Sequence, residues 1–267
     1  MDDVGAATSA GPGEKALLAV VLAAVAGFVD VVGYLALFGI FTAHMSGNSA
    51  AFGAAAGRGL VSEVALRGLP ILFFVVGVAV AGAVIELLAR GGVRSPTAVA
   101  LSAEVVCLVA LMAYAGFGAG VEPRRGTVGF FVLVALAVGA MAIQTATLRR
   151  VGGRTVRTTY VTGMLTRLAE GIVNYAFLRL DIRQGRIGAA DGRLRLRSAR
   201  SRILLLAGIW GAYAGGGVLG AVLDGRFRLR SLAVPVAVLV VVVLADVAHP
   251  VRPPQPGEEP LRRPAPG

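Results

Sequence analysis

Asp30 is the one charged residue in a long apolar run, Ala16–Phe41. An acid inside such a run needs a partner or water, and a carboxyl that gains and loses a proton there is a coupling group for moving protons or cations. Directly after the run comes TAHMSGNSAAFG, Thr42–Gly53, with His44, Ser46 and Asn48. Serine and asparagine side chains accept from the free N–H groups at helix starts. A helix start also turns the positive end of its dipole toward an anion or a polarised solute. A second polar stretch, TTYVTGMLTRLAEGIVNYAFL (Thr158–Leu178), offers Tyr160, Thr162 and Arg167, and Gln144 lies deep in another apolar run. The candidate substrate-binding set is therefore Asp30, His44, Ser46, Asn48, Gln144, Tyr160, Thr162 and Arg167. The competing interpretation is structural. Hydroxyls and amides also act as glue between membrane helices. Arg167 is the natural counter-charge for Asp30, which would make a buried pair, or it pairs locally with Glu170 at i, i+3.

Other reactive side chains add little. Glu104 and Cys107 share a helix face at i, i+3; the acid either lines the same cavity or snorkels toward the near interface. Cys107 is the single cysteine, so no disulfide framework exists. His249 precedes Pro250 at the end of an apolar run and reads as interfacial. There is no zinc spacing, no phosphate loop and no nucleophile elbow. No cofactor, no metal and no catalytic constellation are expected, and an intramembrane enzyme ranks behind the other readings.

The elements that must position these residues are membrane helices. The chain is 56% hydrophobic and 15% charged, where soluble domains are about 25% charged, and its mean hydropathy is +0.77. A bilayer core of ~30 Å takes about 20 apolar residues per helix. Six runs qualify: Ala16–Phe41, Leu69–Ala89, Ala98–Gly118, Val128–Leu148, Ile203–Leu223 and Ser231–Ala248. The acidic start, MDDVGAATSAGPGEK, lacks a basic leader region, so the first run reads as a retained span behind a disordered N-terminus, residues 1–15. Gly47–Gly57 is too short to cross, and Thr158–Leu178 carries Arg167 and Glu170, so both read as re-entrant or protein-buried helices. Eight crossings are the alternative.

The two short segments resemble each other. With Gly47 set on Gly163, Thr42 falls on Thr158, His44 on Tyr160 and Ser46 on Thr162; just upstream, GFVD (Gly27–Asp30) matches MAIQ (Met141–Gln144). The expected fold is an all-α polytopic membrane helix bundle of about six spans plus two short helices, forming one domain over residues 16–248. Its related halves are about 16–118 and 128–248. Three crossings per half would invert one half against the other, and paired interrupted segments mark a midplane site in transporters.

Three stretches, GFVDVVGYLALFGIFTAHMSGN, AIQTATLRR and RTTYVTGMLTRLAEG, resemble the YoaK-type family of bacterial membrane proteins of unknown function. The likeness runs over nearly the whole span region, with Ser46-Gly47-Asn48 where that family usually has Thr-Gly-Asn. It implies a small protein of the bacterial inner membrane with about six spans, and it implies no reaction or ligand.

The net charge of +11 calls for no nucleic acid. Most arginines fall between spans, as the positive-inside rule requires. With six spans and both termini cytoplasmic, 19 basic residues lie inside and 7 outside. A basic loop, residues 179–202, with eight arginines and two aspartates, is expected to meet either anionic lipid headgroups or solvent. GAAAG, GFGAG, GAYAG and GVLG allow tight helix packing and a homodimer. Residues 249–267 are Pro-rich and expected to be disordered. The leading function is a transporter or channel for a small solute or ion, with membrane lipids as the other partner. The runner-up is a non-transporting structural or partner-binding membrane protein.

Overall fold

A computed structural model describes residues 12–117, 125–151 and 161–249. It is helical throughout, with no strand among the described residues. The helices are α1 (Pro12–Ala36), α2 (Met45–Gly57), α3 (Val61–Arg90), α4 (Pro96–Phe117), α5 (Val128–Val151), α6 (Val161–Arg183), α7 (Ala189–Phe227) and α8 (Ala233–Ala248). A 3-10 turn, Arg228–Leu232, joins the last two. Local chemistry sets several of the ends. Proline opens α1 and α4, where its missing N–H is not needed. Ser95 Oγ accepts from Ala98 N before α4, and Thr127 Oγ1 from Phe130 N before α5. Gly92, at φ +74°, ends the turn after α3.

Five stretches are long and apolar enough to cross a membrane: Gly13–Ala36, Val61–Arg90, Pro96–Tyr114, Val128–Leu148 and Ala190–Ala248. The last, at 59 residues, holds both α7 and α8. The core consists of aliphatic and aromatic side chains from α1, α4, α5 and α8, with Leu22, Val32, Leu101, Phe130, Val134 and Leu239 at its heart. Large apolar side chains face outward instead along α3, where Leu72, Val75, Val76, Val80 and Leu87 are exposed. That arrangement suits lipid as the outer solvent.

α1 is the central helix and packs most extensively on α7, in parallel sense. Gly216 lies against the Ala24 backbone, Gly217 against Val31, and Gly220 against Phe28. α3 and α5 make a second parallel pair, with Glu63 of α3 bonded to Arg125 ahead of α5 and Gly77 against Ala142. α4 runs antiparallel to α8, and Ser95 bonds Asp246 where they meet. α2 folds back on α3, with Phe52 against Gly68, and α6 folds back on α7, with Gly171 against Ile203.

Three expectations need correction. Residues 179–202 are not a loop: α6 runs to Arg183 and α7 starts at Ala189, because alternating arginines and leucines stay helical on a hairpin lying beyond the apolar stretch. α6 is not buried inside the protein either. It packs on α7, and Met164 is its one fully buried residue. Nor do the starts of α2 and α6 meet, since α2 packs on α3 and α6 on α7 with no contact between them among the described residues.

The glycines of the α1–α7 seam give a direct test. A methyl at Gly27 would run into the Tyr213 carbonyl, whereas one at Gly82 meets nothing within 4 Å. Overpacking of this kind costs about 1–3 kcal/mol. Gly27→Ala should lower the thermal midpoint in detergent, while Gly82→Ala leaves it unchanged or higher. Equal midpoints would contradict the close seam.

Candidate functional site

Asp30 is buried, and its carboxylate is gripped from two sides. Oδ1 accepts from Thr42 N at 2.8 Å, Ala43 N at 2.8 Å and Thr42 Oγ1 at 3.0 Å. Oδ2 meets His44 Nδ1 at 2.5 Å and accepts from Tyr213 OH at 2.8 Å. Tyr213 OH and His44 Nδ1 are 3.2 Å apart, and the two rings cross edge to face at 5.3 Å. A charge-assisted bond is the strong kind, and one carboxylate here draws five donors from the loop ahead of α2 and from α7. Tyr213 stands midway along the apolar stretch of α7, so the cluster lies deep within the bundle.

The chain can wrap around the carboxylate because the turn after α1 is sharp. Phe38 and Gly39 take φ +56° and +76°, and Arg67 Nη1 donates to the Gly39 carbonyl at 2.8 Å. Asn48 then fastens the far side of the loop. Its Oδ1 accepts from Phe41 N at 3.0 Å and its Nδ2 donates to Phe41 O at 2.8 Å. Two glycines leave the room this needs: a side chain at Gly33 would strike the Thr42 methyl, and one at Gly47 would come within 2.7 Å of the Phe41 ring. Gly33, Thr42, Gly47 and Asn48 thus form one device around Asp30.

The expected site residues divide accordingly. Asp30, His44 and Asn48 come together. Asn48 does not cap α2, which begins at Met45 with His44 in the cap position and no side-chain bond there. Ser46 is the second residue of α2 and is exposed. Thr162 and Arg167 are exposed on α6. Arg167 is not the counter-charge of Asp30, whose partners are Thr42, Ala43, His44 and Tyr213. Gln144 is wholly buried on α5, with both amide atoms unbonded. Tyr160 lies outside the described residues. Tyr213 was missed: GAYAG reads as a packing motif, and the signal lay in a phenol flanked by small residues in mid-span.

Chemically, the cluster can share one proton between Nδ1 and Oδ2. The His44 side chain is 23% exposed against 3% for Asp30, and its Nε2 makes no hydrogen bond. No group of three or more potential metal ligands occurs among the described residues.

Removing the acceptor should be costly. A buried donor left without a partner costs about 1–3 kcal/mol. Asp30→Ala leaves the Thr42 and Ala43 backbone N–H groups in that state, so its thermal midpoint should fall further than that of Asn48→Ala, and well below that of Tyr213→Phe. The reverse order in detergent-solubilised protein would show that Asp30 does not hold the loop.

A relative, the UPF0700 transmembrane protein YoaK of Bacillus subtilis (strain 168), is 29% identical over 154 residues, which are 58% of this chain and 65% of that protein. The chain thus spans about two thirds of that relative's length. No solved structure matches. The family described as a protein of unknown function, DUF1275, matches residues 18–245. The chain is an integral membrane protein and belongs to the DUF1275 family.

Proposed function

We propose that the protein is a transporter or channel for a small solute or ion, with the Asp30–His44–Tyr213 cluster as its proton-handling site. The observation that carries this reading is a buried carboxylate in mid-bundle joined to a partly exposed imidazole. Intramembrane acids of this kind mark ion and proton pathways.

Helix pairing supports the further reading of two inverted halves. If α1 to α4 exchange with α5 to α8 in order, the α1–α7 seam becomes the α5–α3 seam. The α2–α3 hairpin becomes the α6–α7 hairpin, and α4–α8 maps onto itself. Phe38 after α1 touches Phe130 at the start of α5, as expected for halves of opposite sense. In this reading both termini are cytoplasmic, by arginine distribution. The exposed arginines of α6 and the first turns of α7 then meet anionic lipid headgroups, and the open glycines Gly53, Gly57, Gly211 and Gly215 leave faces for a second copy. No nucleic acid and no cofactor enter it.

A non-transporting, structural role is the second reading. It is favoured by the completeness of the cluster, whose donors are all satisfied within the chain, and by the outward placement of Ser46, Thr162 and Arg167.

Charge movement separates the two. Proteoliposomes on a solid-supported membrane would be challenged with a panel of small cations, anions and neutral metabolites, with and without a pH gradient. We expect a solute-evoked current that depends on the gradient, with Asp30→Asn abolishing the dependence in folded protein. Silence across the panel from folded wild type, or an Asp30→Asn current identical to wild type, supports the structural role.

A further inference from the structure

Glu104 lies in the buried stripe of α4 between Leu101 and Leu108, with no exposed surface. Neither of its carboxyl oxygens has a hydrogen-bond partner among the described residues. α5 runs antiparallel along α4: Gly129 lies against Tyr114, and Ala146 clusters with Ala100. That register sets Glu104 level with Ala140 and Gln144 level with Ala100, so the two are separated along the helix axis by about one turn, ~5–6 Å. Gln144 is also fully buried, with neither amide atom bonded among the described residues. The paired helices α4 and α5 therefore each carry a buried polar side chain, an acid and an amide, without a hydrogen-bond partner among the described residues.

Among the described residues no charge compensates the acid. α5 has no titratable side chain between Val128 and Leu148. On α8, Asp246 bonds Ser95 at the end of α4. On α3, Glu86 pairs with Arg90 at the surface, while Glu63 pairs with Arg67 and Arg125 at the far end. Arg228 and Arg230 of the 3-10 turn are exposed. On α4 itself, Cys107 is one turn on and half-buried, and Tyr114 is exposed near the other end. An ionised carboxylate with neither water nor donor is far costlier than a neutral one. Asp30 is the opposite case, an acid surrounded by donors.

We propose that Glu104 is a proton-binding site in the α4–α5 seam, separate from the Asp30 cluster, whose occupancy is linked to closure of that seam. Closed, the seam holds the neutral acid. Opened to water, it lets the proton leave, and the Gln144 amide one turn away offers an N–H donor to the anion or a carbonyl acceptor to the acid. The site stands whether or not the protein transports a solute.

Dicyclohexylcarbodiimide tests this directly, because it partitions into apolar surroundings and reacts with protonated carboxyls. Wild-type protein in lipid membranes would be treated across a range of pH and its peptides weighed. Glu104 should carry the adduct, with labelling falling several-fold from mildly acidic to alkaline pH, while Asp30 stays unlabelled. Glu104→Gln should remove that adduct and keep the wild-type thermal midpoint, since one neutral group replaces another. Absence of Glu104 labelling at every pH, or labelling that ignores pH, overturns the proposal. The wild-type result decides even if the variant folds poorly.

Discussion

One carboxylate organises the centre of this protein. Asp30 belongs to α1, yet its bonds fix the loop ahead of α2 and reach α7 through Tyr213. A lone acid would be a liability in an apolar bundle. Surrounded by five donors it becomes a junction, and the short helix α2 gets its starting point and angle from it. The glycines at 33 and 47 and the amide of Asn48 follow from that junction, because the loop reaches the carboxylate only where two side chains are missing and where Phe41 is held on both sides of its peptide.

Much of this was legible in the sequence, for identifiable reasons. Apolar runs of about 20 residues report membrane helices because lipid leaves the backbone no other option. Asp30, His44 and Asn48 stood out because polarity is conspicuous there. The partnership of Asp30 with Tyr213 was not legible, since the two are 183 positions apart and nothing local links them. Arg167 misled for the complementary reason: charge sign suggested a pair, but α6 lies on the outer side of α7 and points the residue to the surface. Ser46 looked like a cap, yet the cap position falls two residues earlier, at a histidine already committed to the carboxylate. The arginine-rich stretch 179–202 looks like a loop by its charge, yet leucine and arginine both favour helix.

The two buried acids show how strongly surroundings set the role of a residue type. Asp30 has donors in excess and Glu104 has none. The first is suited to hold parts together. The second is tolerable only while neutral, so it is sensitive to anything that admits water. A helix bundle containing both has a fixed point in one seam and a conditional one in another.

The distance along the chain between Asp30 and Tyr213 also has a consequence for biosynthesis. As the chain leaves the ribosome, α1 enters the membrane first, and its acid can soon take the amides of Thr42 and Ala43. The phenol, and the glycine ridge of α7 that seats against α1, arrive only after five further helices have been made. The largest interface in the protein therefore closes late. Until then α1 is an incomplete helix whose polar face must be sheltered by the translocation machinery or by its own loop. A chain cut short before α7 would leave that face open, a mark by which membrane quality control could tell a fragment from a finished protein.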